Sequence, residues 1–188
     1  MCEQSLTEVK ILNFQELLLL KGLSIEKSKG EHVFLQGEVD KSLYLIQSGL
    51  LKAYYTSEAG KESIKSFLLP NDTIGSLMAA YSDKSCTFSL VCLEPTKLIK
   101  ISFSIILEYS KKDLKIANNM IDVLLNFAIK KEQREFEFLC LSAEERFRKL
   151  VKKNPILLEK VTQNDLAHYL GITPVGLSRI KKRVAESS

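Results

Sequence analysis

The chain has 188 residues, 45% hydrophobic and 27% charged, with a formal net charge of +4. That is enough apolar material for one large domain or two small ones. No apolar run approaches the roughly 20 residues of a membrane span, and the start "MCEQSLTEVKIL" has neither a basic, apolar leader nor a cleavage-like site, so a cytoplasmic protein without membrane contact is expected.

The N-terminal stretch "EVKILNFQELLLLKGL" has apolar residues at helical spacing and predicts a short helix. From about Ser28 to Phe103 the text changes to brief apolar runs separated by Gly, Asn, Asp and Ser. Turn signals at roughly ten-residue spacing predict an antiparallel barrel or sandwich, with "SEAGKE" as a hairpin tip. From Ser104 the period changes again, and more than thirty residues without Gly or Pro predict a long helix. Its apolar band, from Ile116 to Ile129, covers most of the circumference. Such a band is either buried in its own core or shared with a second copy of the chain, and periodicity leaves both open.

The remaining segment predicts three helices. "SAEERFRKLVKKNP" opens with Ser142 and has Glu145 at capping-box spacing, and Pro155 closes it. "TQNDLAHYL" repeats the device with Thr162 and Asp165. In "GITPVGLSRIKKRVAESS", Thr173 is placed to cap and Pro174 to occupy the first helical position, where a missing N–H is harmless. Charge follows this division: residues 1–129 carry 14 Lys+Arg against 15 Asp+Glu, residues 130–188 carry 13 against 8. The basic excess therefore sits on the C-terminal end, where it suits a polyanion.

"NDLAHYLGITPVGLSRIKK" has the register of a helix-turn-helix. Ala167 is small where two helices would cross, Gly171 falls at the turn, and Leu166, Leu170, Ile172, Leu177 and Ile180 supply a small core. The positions left over, Thr173, Pro174, Val175, Ser178, Arg179 and Lys182, form an outer face that begins at the helix N-terminus, as a major-groove reading helix requires. Arg179 has the guanidinium fork that matches guanine O6 and N7. Lys181, Lys182 and Arg183 are expected on phosphates.

Chemistry-bearing residues are otherwise sparse. Cys2, Cys86, Cys92 and Cys140 form no C-x-x-C pair, and His32 and His168 lie in different segments, so no metal or haem site and no cofactor is expected. No nucleophile elbow, phosphate loop or Cys–His pair is present, so no catalytic residue is assigned.

Taken over residues 25 to 186, the chain resembles the Crp/Fnr superfamily, named for the cyclic-AMP receptor protein and the fumarate and nitrate reduction regulator. "FLQGEVDKSLYLIQSGLLKAYY", with Gly37 and Gly49 at turns, resembles its first strands, and "LSAEERFRKLVKKNP" followed by "LGITPVGLSRIKK" resembles its C-terminal half. The resemblance implies an α+β protein: a β-roll effector domain over residues 1–110, a dimerisation helix over 111–138 and a helix-turn-helix domain over 139–188. It also implies a homodimer whose seam holds Ile116, Ala117, Met120, Leu124 and Phe127, bound to a near-palindromic duplex. An unknown small-molecule effector and RNA polymerase are further partners to expect.

Two departures from that family matter. Nucleotide-binding members follow the cassette Gly with Glu and place an Arg eleven residues after the Gly. Aligned from Gly75, this chain has Ser76 and Leu77 after the glycine, Cys86 at the Arg position and Thr87 next. A neutral thiol does not replace a bidentate guanidinium on phosphate, so no response to cyclic AMP is expected. The iron–sulfur branch needs clustered cysteines that this chain lacks. Only five residues follow Arg183, so a wingless variant is expected. A sensor or adaptor that uses its helical end for protein contacts is the alternative reading.

Overall fold

The computed structural model describes residues 14–186, so Cys2 and the start of the predicted first helix lie outside the described residues. Helix α1 (Phe14–Lys21) leads directly into β1 (Leu23–Lys27), a strand hidden in sequence behind the leucine-rich helix. Seven more strands follow: β2 (His32–Phe34), β3 (Ser42–Ser48), β4 (Leu51–Thr56), β5 (Glu62–Leu68), β6 (Thr73–Ile74), β7 (Ser89–Cys92) and β8 (Thr96–Ser102). They form two antiparallel four-stranded sheets, ordered β1-β8-β3-β6 and β2-β7-β4-β5. The predicted hairpin tip joins β4 to β5, where Ser57 N–H donates to Lys61 O at 3.0 Å.

The sheets face each other across an apolar interior. Tyr44, Ile46 and Leu98 of one meet Phe34, Leu51, Ala53 and Leu90 of the other. The first sheet is apolar on both faces. Leu43, Ile99 and Ile101 turn outward and are covered by α1, by α3 (Phe103–Ser110) and by the start of α4 (Leu114–Cys140). A strand with both faces covered loses strict polar alternation, as β3 does.

The long helix expected from Ser104 is two helices. Asp113 has an extended backbone and its carboxylate accepts the Lys115 N–H at 2.8 Å, so it caps α4 and breaks the run after α3. The apolar period continues across the break, which hides it in sequence.

The C-terminal part comprises α5 (Ala143–Lys153), the one-turn α6 (Leu157–Lys160), α7 (Gln163–Leu170) and α8 (Pro174–Glu186). The capping box of Ser142 and Glu145 is present in both directions. Its core is not self-contained. Leu50, from the β3–β4 turn, is fully buried among Phe147, Leu150, Leu166, Leu170, Leu177 and Ile180, with Phe67, Leu69 and Leu93 packed alongside.

Candidate DNA interface and effector site

Helix α8 is positioned by its inner face. Leu177 and Ile180 are buried against Leu166, Ala167 and Leu170 of α7. The two helices turn at Gly171, with φ +69, a left-handed conformation that glycine adopts without strain. A Cβ there would also lie 2.7 Å from the Phe138 ring. Thr173 caps α8 by accepting the Gly176 N–H at 3.1 Å, and Thr162 caps α7 by accepting the Asp165 N–H at 3.1 Å.

This packing leaves Thr173, Pro174, Val175, Ser178, Arg179 and Lys182 exposed along one side, with Val175 62% exposed. Arg179 makes no ion pair among the described residues, so its fork is available. The basic end behind it is less uniform than its sequence. Lys181 is half-buried, and Lys182 lies 4.0 Å from Glu186. Arg183 Nε donates to Glu144 Oε2 of α5 at 3.0 Å. The Arg183 guanidinium, and then that of Arg148, hold the Glu144 carboxyl below the ordinary carboxylate range. A phosphate contact by Arg183 must compete with this pair, whereas Arg179 has no such competitor.

In the cassette, Gly75 is packed so closely on β3 that a Cβ would lie 2.5 Å from Leu43 Cδ2 and 2.6 Å from Ser42 O. Ser76, 2% exposed, caps the short helix α2 (Leu77–Ser82) toward the Ala79 N–H at 3.5 Å. Leu77 begins that helix and is partly exposed.

Cys86 is 2% exposed and belongs to the interior cluster with Phe34, Ala79 and Phe88. Its N–H donates to Glu38 O at 2.7 Å, its carbonyl accepts the Gly37 N–H at 2.8 Å, and its thiol faces Asp40 O at 3.9 Å. Thr87, in the bend before β7, is exposed. Of the five positions, Gly75 serves close packing, Ser76 a helix cap and Cys86 the core, while Leu77 and Thr87 are exposed. Cys92 is buried in the same cluster, and burial pushes its thiol up.

Lys65 of β5 was not singled out in the sequence. Its Nζ lies 4.9 Å from the centre of the Phe88 ring. Burial, and then Lys131 and Lys130 of α4, hold its ammonium below the ordinary lysine range. Among the described residues no group of three His, Cys, Asp or Glu is placed to hold a metal ion, and no helix is long and apolar enough to cross a membrane.

Helix α4 places the residues of the expected seam unevenly. Ile116 and Met120 are 1% and 5% exposed and pack into the cluster of Leu17, Leu18 and Ile106 in their own protomer. Ala117 and Phe127 are half-buried, and Leu124 is 37% exposed. The face left open lies further round, through Ile121, Leu125, Ile129, Phe136 and Leu139, each more than half exposed. The band is wide because one edge serves the β-roll, and only packing shows which edge.

Residues 25–113 match the cyclic nucleotide-binding domain family. The chain is 31% identical to the anaerobic regulatory protein of Pasteurella multocida, over 92% of this chain and 68% of that protein. It is 30% identical to the regulatory protein HlyX of Actinobacillus pleuropneumoniae, over 85% and 70%. In structure it is similar to FixK2 from Bradyrhizobium japonicum, with a TM-score of 0.75 at 16% identity over 88% of this chain and 85% of that one. The c-di-GMP responsive regulator CLP of Xanthomonas campestris gives 0.74 at 14% identity over 93% and 91%. With its β-roll, long helix and helix-turn-helix in that order, the chain belongs to the Crp/Fnr family of transcription regulators.

Proposed function

We propose that the protein acts as a homodimer that reads a near-palindromic operator through α8 and does so without cyclic AMP. The observation that supports this reading is the exposed face of Thr173, Pro174, Val175, Ser178, Arg179 and Lys182 on a helix whose opposite side is fully buried. Arg179 takes a base edge, and Lys182 with Lys181 and Arg183 takes phosphates. The seam runs through Ile121, Leu125, Ile129 and Phe136. A two-fold dimer sets two reading helices about 34 Å apart, one turn of duplex.

The β-roll serves as a platform. With Ser76 used as a cap and Cys86 in the core, nothing in the cassette meets a ribose hydroxyl or a cyclic phosphate. In this reading the protein is cytoplasmic, carries out no reaction and acts on transcription through RNA polymerase.

Selection of duplexes from a random pool by the purified, ligand-free protein tests the reading. Enrichment of a near-palindrome, with log affinity falling steeply against log salt, is the expected result. No enrichment by a confirmed dimer, or a flat salt dependence, refutes it in favour of a protein-docking adaptor.

A further inference from the structure

The DNA-reading unit is joined to the rest of its protomer through the end of α7. The turn's own N–H groups reach only Ala167 O and His168 O, from Ile172 and Gly171. The last two carbonyls of α7 go instead to two guanidiniums. Arg146 of α5 donates to Leu170 O at 3.0 Å and to Leu141 O at 2.6 Å. Arg134 of α4 donates to Tyr169 O and, at 3.4 Å, to Ile64 O on β5. Its guanidinium also lies 3.8 Å from the centre of the Tyr169 ring and 4.3 Å from that of Phe138, whose ring is the one packed on Gly171.

Arg134 therefore ties the helix that carries the proposed dimer seam to β5, at the edge of the second sheet, and to the end of α7 beside the turn of the helix-turn-helix. A second contact runs beside it. Lys52 of β4 donates to Asp165 of α7 at 2.9 Å, with both side chains largely buried, while the Tyr169 ring lies 5.3 Å from that of Phe67. None of these groups lies on the outer face of α8.

We infer that Arg134 is a positioning residue for DNA reading: by tying α7 to α4 and β5 it fixes the angle between the reading helix and the dimer seam, and so the half-site spacing the dimer accepts, without an effector. The inference rests on the proposed operator reading. A planar guanidinium held close to two rings and to two carbonyls is more restrained in orientation than a flexible ammonium would be. A part-buried carbonyl that loses its donor costs the desolvation of that group, which makes the arrangement costly to leave. The reading face is exposed while these contacts are made, so they do not cover it.

The test uses the full-length dimer, its selected operator, the same operator with one base pair added or removed between half-sites, and a single half-site. Wild type should bind the native spacing at least tenfold more tightly than the altered ones. Arg134→Met, which keeps bulk but loses the fork, should lose most of that discrimination and about tenfold in operator affinity, with half-site affinity within about twofold of wild type. Lys52→Met, which removes the β4 contact to Asp165 of α7, should move the same ratio in the same direction, and it serves if Arg134→Met fails to fold. Unchanged spacing discrimination in the folded variants overturns the inference, and so does tighter operator binding, which would mean that the contacts hold a non-reading orientation. If wild type itself selects no duplex, the operator reading fails and the inference falls with it.

Discussion

Replacing Leu125 by Ala separates the proposed seam, on the open face of α4, from the one expected from sequence. Leu125 is 54% exposed in the protomer. Fully burying a leucine side chain contributes about 1.5–3 kcal/mol, so covering the exposed half is worth about 1 kcal/mol per copy. A two-fold seam holds the residue twice. The dimer should weaken by about 2 kcal/mol, roughly thirtyfold in dissociation constant, since each 1.4 kcal/mol is tenfold. Folding of the protomer should hardly change, because the side chain is half in water already.

Met120→Ala is the counterpart. At 5% exposure among Leu17, Leu18 and Ile106, it should cost about 2–5 kcal/mol of folding stability through lost transfer and a residual cavity, with little effect on dimerisation of the folded protein. Sedimentation equilibrium over a dilution series gives the first quantity and denaturant unfolding the second. If Met120→Ala dissociates the folded dimer while Leu125→Ala leaves it within twofold of wild type, the assignment of the two edges of α4 is reversed and the reasoning from burial fails.

Arg179→Ala should reduce operator affinity by about 1–3 kcal/mol and relax selectivity at one base position, as read by repeating the duplex selection; equal binding would remove the base-reading role. Calorimetry with cyclic AMP should show no micromolar binding. Cys86→Arg combined with Ser76→Glu should lower the melting temperature sharply instead of creating a site, because it puts two charges at buried positions, one of them in an interior built from Phe34, Ala79 and Phe88. Lys65→Met should raise the melting temperature by about 2–4 °C for each kcal/mol recovered. The sign follows from the depressed amine: folding disfavours its charged form, so the penalty is full below the folded-state pKa and fades as pH rises toward the unfolded value. The gain from Lys65→Met should accordingly shrink at alkaline pH, and a gain independent of pH would show that the charge is not its source.

The features legible in the sequence are those encoded within a few residues. Ser142 with Glu145, Thr162 with Asp165, and Gly171 at the turn are local hydrogen-bond and backbone requirements, and each appears where its spacing places it. The outer face of α8 was legible for the same reason, since apolar positions at helical period leave one side over. The cassette's departure could be read residue by residue, as Cys86 standing where an arginine is required.

What only the tertiary structure decided involves partners far apart in the chain. Helical period shows that α4 has a wide apolar band but not that Ile116 and Met120 face α1 and the first sheet while Ile121 and Leu125 face outward. Arg183 looks like a free cation until α5 brings Glu144 to it. Leu50 reads as a turn residue until the C-terminal helices close over it. In sequence Arg134 is one more position in the 3-4 spacing of the long helix, and only the approach of β5 and α7 brings two carbonyls to it. Local spacing selects the elements because their hydrogen bonds close within a turn or two of chain. Which faces meet is decided by burial summed over the whole fold, and that sum cannot be read from any one segment.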